Sequence, residues 1–229
     1  MFILFILAGT SFFASQFRSL PIRANSVFSN PAGLGLRPGY EAVLNYHPDL
    51  ITAGLVIRYF SAAMRKADSL YYWETGTGYK LPGAFSIGYA YRFGEINEHI
   101  LGAMGMISNE LSIGYTAKIG DDWHMFGGLA IRPLADYVVL CGDIEYETTY
   151  KTTNYYAGIM IQPLSGLKAH FETDQELNWS TGLEISLGKM ILGGLYSSTD
   201  NKISGGVIFS SDDYPTFLSK EEKIPDYLE

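Results

Sequence analysis

The chain has 229 residues, enough for one large all-β domain or two small ones; it is 47% hydrophobic but only 17% charged, against roughly 25% for an average soluble domain. So few charges suffice only if much of the outer surface lies outside water. A net charge of −8, with Arg65-Lys66 as the only adjacent basic pair, excludes nucleic acid as the main partner, and the single cysteine, Cys141, excludes an internal disulfide or a cysteine-based zinc site.

The first element is "MFILFILAGTSFFASQ". Its apolar run of about 14 residues is too short for a spanning helix, which needs about 20. Small residues at Ala8, Gly9, Ser11 and Ala14 suit a secretory signal over 1–15, although a basic first region is missing. The alternative is a short hydrophobic first strand. Residues 16–38 follow, with "NSVFSNPAGLG" at their centre. Asn30 can cap a helical turn, Pro31 fits its first position, and Gly33 or Gly35 can end it. The segment is therefore predicted as a compact one-turn helix; a plain surface turn is the simpler alternative.

From Tyr40 onward the hydrophobic period is two. In "AFSIGYAYRF", Phe85, Ile87, Tyr89, Tyr91 and Phe93 oppose Ser86, Gly88, Ala90 and Arg92. "LSIGYTAKI" (111–119) and "WSTGLEISLG" (179–188) repeat the pattern, and weaker versions bring the count to about twelve strands over 39–210. Residues 95–108 are less regular and are read as a long loop. Short turn signals such as "HPD", "GDD", "PLSG" and "TDN" separate the strands. The phrases "AIRPL" (130–134) and "MIQPL" (160–164) echo each other, each proline marking a strand end. A polar acidic tail occupies 211–229.

Alternation alone suits a soluble sandwich as well as a membrane barrel. Three features favour the barrel. The less apolar face is rich in Gly, Ser, Ala and Thr, which suits a crowded interior. The bulky face carries Tyr40, Tyr46, Tyr59, Trp73, Trp123, Tyr155 and Trp179 near strand ends, as interfacial aromatic girdles do. The strands run about ten residues, and ten residues tilted by about 45° rise about 23 Å, close to the apolar band of such barrels. The fold predicted is all-β: an antiparallel up-and-down transmembrane barrel of about twelve strands (twelve to fourteen) with a short N-terminal helical hatch. Its lumen-facing polar residues are then Arg58, Arg92, Lys118, Arg132, Asp143, Glu145, Lys168, His170, Glu172 and Glu184, joined by Glu41, Asn45 and Gln162. A lumen of that size is too narrow for an open porin and too wide for short side chains to fill, so ion pairs and an inserted segment are expected inside it.

No catalytic constellation accompanies this pattern. His47, His99, His124 and His170 are scattered, with no metal-ligand spacing, and no P-loop, dinucleotide or G-x-S-x-G pattern occurs. Neither enzyme activity nor a cofactor nor a metal is predicted.

"NPAGLG", after Ala24, Ser26 and Ser29 and before the first strand, resembles the N-terminal signature of the long-chain fatty-acid transporter superfamily of outer-membrane barrels. That group includes the barrel subunit of the type IX secretion system. The resemblance implies that Asn30, Pro31, Ala32, Gly33 and Leu34 belong to a hatch packed inside the barrel. The run from "GLAIRPLADYVVL" to "STGLEISLG" is also similar to barrel modules fused ahead of signal-peptide-peptidase-like domains. Transporters of this group commonly have fourteen strands, more than the alternation shows here. The expected partners are outer-membrane lipid and a small hydrophobic molecule that crosses passively. One alternative is a non-transporting anchor or scaffold whose tail contacts a periplasmic or secretion partner. Another is a soluble exported sandwich.

Overall fold

A computed structural model describes residues 17–19, 26, 28–36, 39–67, 70–134, 137–213 and 216. The signal-peptide expectation at 1–15 and nearly all of the tail fall outside them. The strands are β1 (Tyr40–His47), β2 (Leu50–Ile57), β3 (Phe60–Ala67), β4 (Leu70–Lys80), β5 (Phe85–Gly94), β6 (Glu98–Met106) and β7 (Leu111–Ile119). They continue as β8 (Trp123–Ile131), β9 (Val138–Glu147), β10 (Thr152–Leu164), β11 (Leu167–Asp174), β12 (Trp179–Ser186), β13 (Met190–Ser197) and β14 (Lys202–Ser210). Each pairs antiparallel with its sequence neighbours, and β14 returns to β1, with Glu41 opposite Ser210 and Tyr46 opposite Gly205. The sheet is a closed barrel with no free edge, the arrangement that satisfies every backbone group without water.

Fourteen strands replace the twelve that alternation reveals. The two missed are β3 and β6. The inner face of β6 carries Ile100, Gly102 and Met104, nearly as apolar as its outer Leu101 and Ala103, so the contrast that marks a strand is lost. Residues 95–108 are thus mostly strand rather than loop. In β3 both faces carry small residues, Ala62 on one and Ala63 on the other, and a two-residue turn joins it to β2.

The register fixes one inner and one outer row all the way round. Outer residues are large, apolar and exposed: Leu55, Ile87, Leu101, Ile113, Leu129, Leu140, Leu183 and Leu192 among them. Trp73, Trp123 and Trp179 lie near the rim away from the start of β1 and the end of β14, and Tyr40, Phe60, Phe85 and Phe209 near the rim where those two meet. A sandwich would bury such rows between two sheets. Here they coat the outside of a cylinder, so the sandwich alternative is overturned. Nine residues tilted by about 45° rise about 21 Å, sufficient for the apolar band of a barrel in a bilayer. Among the described residues no helix is long and apolar enough to cross a membrane, which says nothing of crossing by strands.

Connections run from two residues (48–49) to six (132–137). None can reach deep into the lumen. The segment before β1 can, and it does.

Candidate functional site: the barrel lumen

Pro31–Gly35 form a single 3₁₀ turn, not a helical hatch of α type. Asn30 caps it, its Oδ1 accepting from Ala32 N at 3.1 Å, with Pro31 at the first position where a missing N–H costs nothing. The Asn30 amide Nδ2 donates to Arg18 O (2.9 Å) and to Ala103 O (3.1 Å), tying the turn to the segment upstream and to β6. All five residues of the turn are buried, against β4, β5 and β6.

Inner-row glycines provide the seat. A Cβ on Gly88 would fall 2.1 Å from the Pro31 carbonyl carbon, one on Gly102 2.2 Å from Asn30 Oδ1, and one on Gly114 1.9 Å from Arg18 O. Backbone can approach this wall only because these positions lack side chains. The Gly and Ser richness of the inner face therefore reflects a segment packed on it. Further along, Arg18 N donates to Asp143 Oδ2 at 2.7 Å and Ser112 Oγ donates to Ser19 O at 2.9 Å. Phe28 completes an apolar cluster at the closing seam with Val43, Ala63, Ile191, Leu195 and Ile208.

A buried ion network lies below the turn. Glu74, with no exposed side-chain surface, contacts Arg92 directly and lies 3.4 Å from Arg65 Nε; Arg92 Nη1 also donates to Glu98 Oε2 at 2.8 Å. Arg65 reaches the N-terminal segment as well, donating to Phe28 O at 3.0 Å with its guanidinium over the Phe28 ring. Each charge thus has partners on adjacent strands, without which burial would be costly.

The sequence-predicted lumen residues separate into three groups. Arg92, Arg132 and Asp143 are buried in contact with this assembly, Arg132 donating to Ser112 Oγ at 3.1 Å. Lys118, Glu145, Lys168, His170, Glu172 and Glu184 face inward by register and keep partial water contact. Glu145 accepts from Tyr156 Oη at 2.8 Å and pairs with His124 Nδ1 at 3.1 Å. Arg58 is the exception. It lies exposed in the two-residue turn between β2 and β3 with φ 57°, so the lumen assignment fails for it: strand periodicity was extended one residue past the strand end.

Sequence spacing also conceals a cluster at the far rim. His47 Nε2 lies 2.9 Å from Asp200 Oδ2, and its Nδ1 3.9 Å from Asp49 Oδ2, so three potential metal ligands converge. Lys202 contacts Asp49 and supplies the cation there. That hydrogen bond, ahead of other effects, holds the Asp49 carboxyl below its usual range.

Among the described residues the inner wall is thus unevenly covered. The wall formed by β2–β8 is largely covered, whereas inner residues of β10–β12 remain in partial contact with water. Solved structures show the same architecture. The outer membrane protein Omp33 of Acinetobacter baumannii superposes with a TM-score of 0.55 at 10% identity, over 76% of this chain and 99% of that one. The toluene transporter TbuX of Ralstonia pickettii gives 0.62 at 9% identity, over 92% and 100%. The fold is that of an outer-membrane β-barrel. No family model matches the chain, and no curated protein sequence does.

Proposed function

We propose that this chain is a bacterial outer-membrane barrel through which a small hydrophobic compound crosses passively, with the N-terminal segment acting as a hatch. The observation that carries the reading is the uneven cover of the inner wall: the described residues between 17 and 36 lie mainly against one side, including β4–β6, while inner residues of β10–β12 keep partial water contact. The segment is held by a few hydrogen bonds and by fit against glycines rather than by covalent links, so it can rearrange without opening the strand ladder. The "NPAGLG" resemblance to the long-chain fatty-acid transporter superfamily favours the same role, as does likeness in fold to a barrel described as a toluene transporter. The apolar cluster around Phe28 offers a place where a hydrophobic compound could rest once the segment moves. The role is transport rather than catalysis, and lipid is the partner of the outer face.

Deletion of residues 24–36 tests this. Protein folded into liposomes should leak small solutes faster without the segment, while its heat-modifiable gel migration persists. Equal leakage from a folded deletion variant and the intact chain would reject the hatch.

A further inference from the structure

We infer that the lumen selects cations over anions, and therefore that the compound it admits is an uncharged or ammonium-bearing amphiphile rather than a carboxylate. The inference rests on the passive-transport reading above and adds the charge of the substrate.

It follows from a separation of charge around the inner wall. On the covered side most cations are engaged by the wall itself. Arg65 and Arg92 are matched by Glu74 and Glu98, Arg132 donates to Ser112, and the Arg18 guanidinium stands over the Phe126 ring at 4.4 Å from its centroid; Lys118, over the same ring at 5.0 Å, is the cation of this side that keeps partial water contact. On the water-contacting side the balance reverses. Strands β9–β12 turn Glu145, Glu147, Glu172, Asp174 and Glu184 inward against a single inward cation among the described residues, Lys168.

Glu172 and Glu184 matter most, since they lie within the strands and not at a rim. Among the described residues neither makes an ion pair with a lysine or arginine. Glu172 Oε1 lies 4.0 Å from His170 Nδ1, an imidazole that carries charge only when protonated, and the Glu172 side chain keeps 15% of its surface exposed. Lys168 stands opposite Glu184 in the ladder. Tyr156 and His124 already engage Glu145. A narrow lumen with low-dielectric walls focuses an excess of inward carboxylates on anything entering it, and inward carboxylates are how cation-preferring pores are built. A fatty carboxylate would meet the same field as repulsion.

The test is the reversal potential of the intact protein in a planar bilayer under a KCl gradient at mildly alkaline pH. The expected sign is that of a cation-preferring pore. Glu172→Gln combined with Glu184→Gln should move the potential toward zero, and Lys168→Gln should move it further in the cation direction. Octylammonium should reduce the potassium current more than octanoate at equal concentration. A reversal potential at zero or of the anion sign, an unchanged potential in the folded double variant, or equal block by the two amphiphiles overturns the inference while leaving passive transport standing. Absence of any current overturns the inference, while passive transport is decided separately by the leakage assay.

Discussion

Gly88→Ala is the sharpest probe of how the N-terminal segment is seated. The added Cβ would lie 2.1 Å from the Pro31 carbonyl carbon and 2.2 Å from its oxygen. Ordinary carbon contacts are about 3.5–4.0 Å, so the turn has to retreat by about 1.5 Å. Asn30 cannot follow that retreat and keep its bonds to Arg18 O and Ala103 O. Losing them removes about 1 kcal/mol each, and partial exposure of the wholly buried Leu34 removes about 1 kcal/mol more. A total of about 3 kcal/mol raises the unseated population about a hundredfold. The ladder itself is spared, because Gly88 pairs through its backbone with Gly78 and Gly102 and alanine pairs equally well. Leakage from liposomes should therefore rise while heat-modifiable migration is unchanged. Gly127→Ala is the control: nothing lies within 4 Å of a Cβ there, and it should be silent. Wild-type leakage from a folded Gly88→Ala protein would refute the argument that steric fit against the inner glycines holds the segment.

Other perturbations separate the remaining forces. Glu74→Gln leaves Arg65 and Arg92 buried without their shared counter-charge and should destabilise the barrel by about 3–5 kcal/mol, read as a lower temperature for loss of the heat-modifiable form. Leu101→Arg, mid-strand on the outer face, should weaken folding into vesicles by about 2–4 kcal/mol in urea titrations; a negligible effect would mean that this face does not meet lipid. At the far rim, the depressed pKa of Asp49 means that its contact with Lys202 is fully present above the usual carboxylate range and is lost as pH falls through the lowered value. Lys202→Ala should move the Asp49 titration, followed by NMR, back upward.

Much of the cylinder was legible before any coordinates. The rows Phe85–Ile87–Tyr89–Tyr91–Phe93 and Leu111–Ile113–Tyr115 point outward because a bilayer demands apolar bulk on that side and the register allows no slip. Legibility failed where the inner face stopped being polar. Ile100 and Met104 of β6 are apolar because they lie in the buried interior of the covered wall, so the period-two contrast vanished and a strand read as a loop. The long-range polar contacts were unreadable for a different reason. Arg18 meets Asp143 across 125 positions, and His47 approaches Asp200 because β1 closes on β14; closure is a property of the whole sheet that no local window contains. Arg58 shows the reverse error, a periodic pattern carried into a turn whose left-handed residue ends it.

The location of the plug follows from the loops. Fourteen strands enclose more volume than short inner side chains can fill, and a large void inside a folded chain forfeits contact energy. Barrels commonly fill such space with a long loop, but here every connection between strands has six residues or fewer. The chain ahead of β1 supplies polypeptide there, its turn Pro31–Gly35 lying against β4–β6, and its entry point is adjacent to the seam where Tyr40 N donates to Ser211 Oγ. Packing it against β4–β7 required glycine at the contact positions, which stripped side chains from that wall and left Arg65 and Arg92 to be paired locally with Glu74 and Glu98. The carboxylates that remained unpaired then fell on the opposite wall, β9–β12. Plugging, glycine placement and the charge of the open path are thus one consequence of short loops. Lengthening the 132–137 connection with a loop able to enter the lumen should lessen the loss of stability on deleting residues 24–36, measured by heat-modifiable migration; an unchanged loss would show that the segment stabilises the barrel by something other than filling it.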